Sequence, residues 1–146
     1  MILGAAVGCS GRSLVGAGEP LALGTWGGDG AAVIATEAVT HIHVGCTFGD
    51  VSGRIPVDQS GRFTIDGSYV LRAFPIQLGP SLPAKFVGRV TGTTLKLSVT
   101  VNDTTAGKIV ELGPVTVVLD QPPNMDTCPI CRVPRLPAQK VGPAPV

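Results

Sequence analysis

The sequence predicts an all-β domain, an antiparallel up-and-down barrel of about eight strands, with a two-sheet sandwich as the alternative. Three observations predict it. Between Leu21 and Asp120 no stretch shows convincing helical periodicity, whereas β-branched residues alternate with polar ones at the period of a strand. Turn chemistry recurs every eight to twelve residues or so, the spacing of short strands. Gly (20) and Pro (13) are abundant in 146 residues, as a turn-rich chain requires.

The elements follow in order. Residues 21–26, 31–36 and 39–46 give three strands separated by Gly and charged turn residues. Ile55-Pro-Val57 and Arg62-Phe-Thr-Ile65 flank Asp58-Gln-Ser-Gly61, whose Asp and Gly fit a type I turn with a bulge. Residues 74–83, with Pro75, Pro80 and Pro83, read as a loop over one barrel end. Residues 85–90 and 93–102 form a tight hairpin. In the second of these, Leu95, Leu97, Val99 and Val101 share one face and Lys96, Ser98 and Thr100 the other. Residues 108–111 and 115–119 complete the set. Short connections between consecutive strands favour a meander, and closing it removes exposed edges.

Composition narrows the function classes. Hydrophobic residues make up 44% and charged ones 14%, with a net charge of +1. That balance supplies no field for nucleic acid or an anionic membrane, and no apolar run is long enough to span a bilayer as a helix. A coiled coil, a collagen and a large enzyme are excluded. No Gly-x-Ser-x-Gly elbow, P-loop or dinucleotide fingerprint is present, so no catalytic residue or cofactor is expected. Asp50, Asp58, Asp66, Asp103 and Asp120 mostly occupy turn-like contexts, where Asp bonds its own backbone.

Three segments are expected: 1–20, 21–120 and 121–146. Ala6-Val7-Gly8-Cys9 resembles the lipobox of bacterial lipoproteins, in which the cysteine becomes lipidated. The Gly- and Ser-rich residues 10–20 resemble the tether that follows, and the preceding apolar stretch reads as a shortened signal peptide. Cys9 would then anchor the protein to a membrane through lipid alone. The last segment, rich in proline, can be neither helix nor central strand, and Cys128-Pro-Ile-Cys131 is its one feature able to pin it down.

Two resemblances add to this. Gly24-Thr25-Trp26 is similar to the Gly-x-Trp of the calycins, the lipocalins and avidin-like barrels. It implies that Trp26 packs across a closed barrel end. More broadly, Leu23 to Asp29, Cys46-x-x-Gly49-x-Val51, Asp58-x-x-Gly61-x-Phe63, Gly67-x-Tyr69 and Gly88-x-Val90-x-Gly92 resemble a family of small bacterial secreted or lipoprotein β-domains. That resemblance implies fold and export, and no activity.

Cys46 shares the parity of Ile42 and Val44, which places it on the core side of its strand. A disulfide from Cys46 to Cys128 or Cys131 is the pairing the family resemblance favours. Cys128 and Cys131 also have redox and zinc-knuckle spacing, but no βαβ pattern precedes them. His41-Ile-His43 puts two imidazoles on one strand face, where they could meet one metal ion; a solvated polar face is the alternative. Cys46 is of opposite parity, so it joins them only through a bulge at Gly45. The expected function is therefore an exported, non-enzymatic barrel that binds a small apolar ligand or an envelope partner. The alternatives are a purely structural module, or a metal- or redox-active domain using the CxxC and the histidine pair.

Overall fold

The computed structural model describes residues 18–73 and 79–125. Eight strands run in chain order: β1 (Gly24–Gly28), β2 (Ala31–Ala35), β3 (Val39–Val44), β4 (Thr47–Ser52), β5 (Arg62–Val70), β6 (Leu82–Thr91), β7 (Thr94–Asp103) and β8 (Lys108–Leu119). Each pairs antiparallel with its neighbour, and β1 pairs with β8 to close the barrel. The up-and-down barrel is thus the architecture, and the sandwich is not.

β1 begins at Gly24 rather than Leu21, β3 ends at Val44 rather than Cys46 and β5 runs on to Val70 rather than Ile65, and three further differences change how the strands are counted or bounded. Ile55 and Val57 are buried on either side of an exposed Pro56, but the segment forms no strand. Its place in the barrel is taken by β4, which the hydrophobic pattern hides because its central inward position is Gly49. Residues 108–111 and 115–119 are one strand, β8. Leu97 pairs with Val115 and Val99 with Leu112, so Gly113 and Pro114 bulge out opposite Ser98. β6 begins at Leu82, so Pro83 lies within a strand, opposite Ser68, rather than in the preceding loop.

The inward rows explain the core. Trp26, Val33, Ile42, Gly49, Tyr69 and Leu82 are cross-strand partners in sequence around one side of the barrel. Phe86, Val99 and Leu112 form a second row, and Gly88, Leu97 and Val115 a third. Ile42, Tyr69, Phe86, Val101 and Val117 are 0% exposed, so no water-sized space adjoins them inside the barrel.

Glycine makes room for the rings. A Cβ on Gly49 would lie 2.3 Å from Tyr69 Cδ2, and one on Gly88 would lie 2.3 Å from Phe63 Cζ. A Cβ on Gly67 would meet Phe86 Cε2 at 2.8 Å. The Tyr69 and Phe86 rings are tilted neighbours with centroids 6.1 Å apart. Among the described residues, Trp26, Phe63, Tyr69 and Phe86 are thus the inward aromatics, whereas Phe48 lies on the outer face.

Local bonds set the two ends. At the β5 entry, Asp58 Oδ1 accepts from the Ser60 and Arg62 amides and from the Ser60 hydroxyl, and Gly61 N–H donates to the Asp58 carbonyl. These bonds hold the Asp58 carboxyl below its ordinary pKa, that from the Ser60 hydroxyl most strongly. Residues 120–125 fold back over the β1–β2 turn. Gly30 N–H donates to the Asn124 carbonyl, Asn124 N–H to the Gly28 carbonyl, and Asn124 Nδ2 to Asp29 Oδ1. A Cβ on Gly27 would sit 2.2 Å from the Gln121 carbonyl oxygen, so this crossing requires glycine there.

The ring-for-Cβ exchange is directly testable. Gly49→Ala should destabilise the barrel by about 1–3 kcal/mol in urea denaturation. Combining it with Tyr69→Ala should cost less than the sum of the two single changes, because the Cδ2 atom that the new methyl strikes most closely is gone. Strict additivity would show that the two side chains do not compete for space.

Candidate functional site

Two places in the described structure carry chemistry or space. The first is a cleft at one barrel end, where the β5 entry, the β6–β7 turn and residues 18–22 meet. Its volume is about 620 Å³, and Leu21, Trp26, Val57, Gln59, Val90 and Leu119 are among the residues that line it. Its floor is apolar and its rim carries Glu19, Asp58 and Ser60. Trp26 lies at the floor, only 1% exposed, and its Nε1–H donates to the Ala22 carbonyl at 3.0 Å. Leu21 is held from both sides: its N–H donates to the Ile55 carbonyl, and its own carbonyl accepts from Arg54 Nη2. The segment before β1 is therefore fixed across the barrel mouth, with Trp26 beneath it.

The second place is the outer face of β3 and β4. His41 and His43 both point outward, because Thr40 and Ile42 occupy the inward positions between and beside them. His41 is the cross-strand partner of Asp50, and His43 of Phe48. His41 Nδ1 lies 2.5 Å from Asp50 Oδ1. His41 Nε2 lies 2.9 Å from His43 Nε2. The imidazoles meet edge to face with centroids 4.5 Å apart, and the Phe48 ring flanks both, at 5.4 and 6.0 Å. Burial, and secondarily the neighbouring His41, hold the His43 pKa below its ordinary value. Asp50 is thus a mid-strand residue facing a histidine, not a turn-capping one as its sequence context suggested.

Behind this face, inside the barrel, Thr47 Oγ1 and Tyr69 Oη share a hydrogen bond of 2.7 Å, and the Thr47 hydroxyl also donates to the Val44 carbonyl. Burial pushes the Tyr69 phenol up to about 12. On β7, Asp103 is buried; its Oδ1 accepts from the Thr105 and Ala106 amides and its Oδ2 faces Arg72 at 3.5 Å. This carboxylate closes the β7–β8 turn.

The cysteines fall differently from expectation. β3 ends at Val44, and Gly45 turns the chain with φ 58°, so strand parity does not carry on to Cys46. Cys46 lies in the β3–β4 turn and is half-buried rather than core-facing. Cys9, Cys128 and Cys131 lie outside the described residues, as do most of the expected N-terminal tether and the proline-rich tail. Among the described residues no group of three or more His, Cys, Asp or Glu is arranged to hold a metal ion. The sequence brought His41 and His43 together correctly but missed Asp50; only the β3–β4 register, which needs the Val44–Thr47 turn, reveals it.

The fold defines a closed β-barrel whose interior is packed with its own side chains, with the cleft at one end and the histidine pair on one outer face. No protein-family model, curated protein or solved structure matches the chain.

The single tyrosine makes the interior readable in solution. Its ultraviolet titration should have a midpoint near 12 rather than the ordinary 10. A raised folded value means that the stability linked to this group is complete below pH 10 and is lost as pH rises towards 12. A midpoint near 10 in the folded protein would place the phenol in water and contradict the packed interior.

Proposed function

We propose that this protein is a non-catalytic binding module of the cell envelope, exported and anchored through lipid at Cys9, which takes a small apolar ligand in the cleft at the barrel end. The observation that carries the reading is that cleft: an apolar floor of Leu21, Val57, Val90 and Leu119 beneath a polar rim. Binding pockets have this composition. A ligand inside the barrel is disfavoured by the packed rows of Tyr69, Phe86 and Ile42, so the end of the barrel takes the role that a hollow interior has in larger barrels.

Trp26, the only tryptophan, reports on the cleft floor. Titrating the full chain with a medium-chain fatty acid should change Trp26 emission saturably at one equivalent. Gln59→Phe, at an exposed rim position, should weaken the binding at least fivefold without lowering the melting temperature. No saturable change in either protein would remove the apolar-ligand reading and leave an envelope protein as the occupant to seek.

The export reading rests on the Gly8-Cys9-Ser10 pattern and on Cys46. Cys46 carries no titrating thiol, which supports a bridge to one of Cys9, Cys128 and Cys131, and pairing with Cys128 or Cys131 is the choice that leaves Cys9 for lipid. A bridge closing a loop of roughly 80 residues contributes on the order of 4 kcal/mol in the chain-entropy account. Intact mass of the protein from its host should show a diacylglyceryl adduct on a chain beginning at Cys9, and a gain of two mass units on reduction. An unmodified chain with every thiol reduced would remove both export and anchor.

A further inference from the structure

We propose that His41 and His43 form a two-imidazole site for a divalent transition-metal ion on the outer face of the barrel, with Asp50 as the residue that orients it. Copper(II) and nickel(II) are the ions whose coordination geometry it fits.

The argument begins with tautomers. A carboxylate only accepts hydrogen bonds, so the 2.5 Å contact from Asp50 Oδ1 fixes the proton of His41 on Nδ1. In the neutral imidazole Nε2 then carries the bare lone pair, and it lies 2.9 Å from His43 Nε2. A carboxylate behind one ring nitrogen and a metal ion before the other is the common arrangement of ligating histidines. Here the carboxylate and the ring stand in cross-strand register, so the strands themselves set their approach.

Distance then selects the ion. Metal–imidazole bonds are about 2.0–2.1 Å, so two nitrogens 2.9 Å apart subtend about 90° at a shared ion. That is the cis angle of square-planar, tetragonal and octahedral centres. A tetrahedral zinc ion would hold the two nitrogens about 3.4 Å apart. Nitrogen ligands at tetragonal angles favour copper(II) and nickel(II). With two protein ligands, the remaining positions belong to water, and the ion exchanges freely.

The setting supports ligation. β3 pairs with β2 from Thr40 to Val44 and with β4 along its whole length, so the two rings are carried on a rigid strand. Phe48 walls one side of both rings.

The competing account is a hydrogen bond from a neutral His43 Nε2–H to His41 Nε2, with no ion involved. Titration of the full chain, its thiols alkylated, with copper(II) separates the two accounts. Electron paramagnetic resonance should show one saturable equivalent whose hyperfine pattern contains two imidazole nitrogens. His41→Gln and His43→Gln should each weaken that equivalent at least tenfold while leaving the melting temperature of the free protein nearly unchanged. Asp50→Ala should weaken it roughly 10- to 100-fold, the range for partners of a ligating histidine. It should also shift the His41 ring towards the other tautomer in nitrogen-15 spectra, a change that a merely structural role would not produce. Nickel(II) should compete for the same equivalent more effectively than zinc(II). Copper binding that is absent, or that is the same in wild type and both histidine variants, would overturn the proposal and leave the pair as a hydrogen-bonded relay.

Discussion

Everything inside this barrel depends on an exchange between aromatic rings and missing Cβ atoms. A small eight-stranded barrel has little interior to fill, and a ring that points inward must find a partner strand without a side chain in the same layer. Gly49 and Gly67 serve Tyr69 and Phe86, and Gly88 serves Phe63. The rings in turn bury enough apolar surface to offset the weak strand preference of those glycines. The packed interior has a functional consequence. Space and polar chemistry are displaced to the barrel end, over Trp26, and to the outer face, around His41.

The barrel architecture was legible because β6 and β7 alternate cleanly. Leu95, Leu97, Val99 and Val101 declare their face without help from the rest of the fold. β4 was not legible, since its inward residues are Gly49 and Val51 while Phe48, the most apolar side chain, points outward against the histidines. Ile55 and Val57 misled for the opposite reason: they are buried by lying under the barrel mouth, which demands apolarity but not strand geometry. The bulge at Gly113 and Pro114 divided one strand into two apparent ones.

The candidate sites were legible only in part. Two histidines at a spacing of two announce a shared face, but the residue that makes them chemically distinct, Asp50, is nine positions away and is brought in by register. Parity placed Cys46 in the core because it assumes that a strand continues. The left-handed backbone at Gly45 ends that assumption. The cleft could not be seen at all in the sequence, because it is formed by residues from the entry segment, the Asp58 turn and the start and end of distant strands.

The fold-back of residues 120–125 over the β1–β2 turn bears on how the ring is closed. β1 and β8 share only two register pairs, Trp26 with Leu119 and Gly27 with Val118, the shortest ladder in the barrel. The Asn124 side chain reaches Asp29 across 95 positions of sequence, immediately beyond that short ladder. Contacts so distant in the chain are costly to form early in folding, whereas the β5–β8 meander is built from near neighbours. The barrel is therefore a sheet with a seam, curling from its long strands towards its short ones. The Asp29–Asn124 clasp lies at the end of that seam, where the two ends of the sheet are joined and where opening would begin.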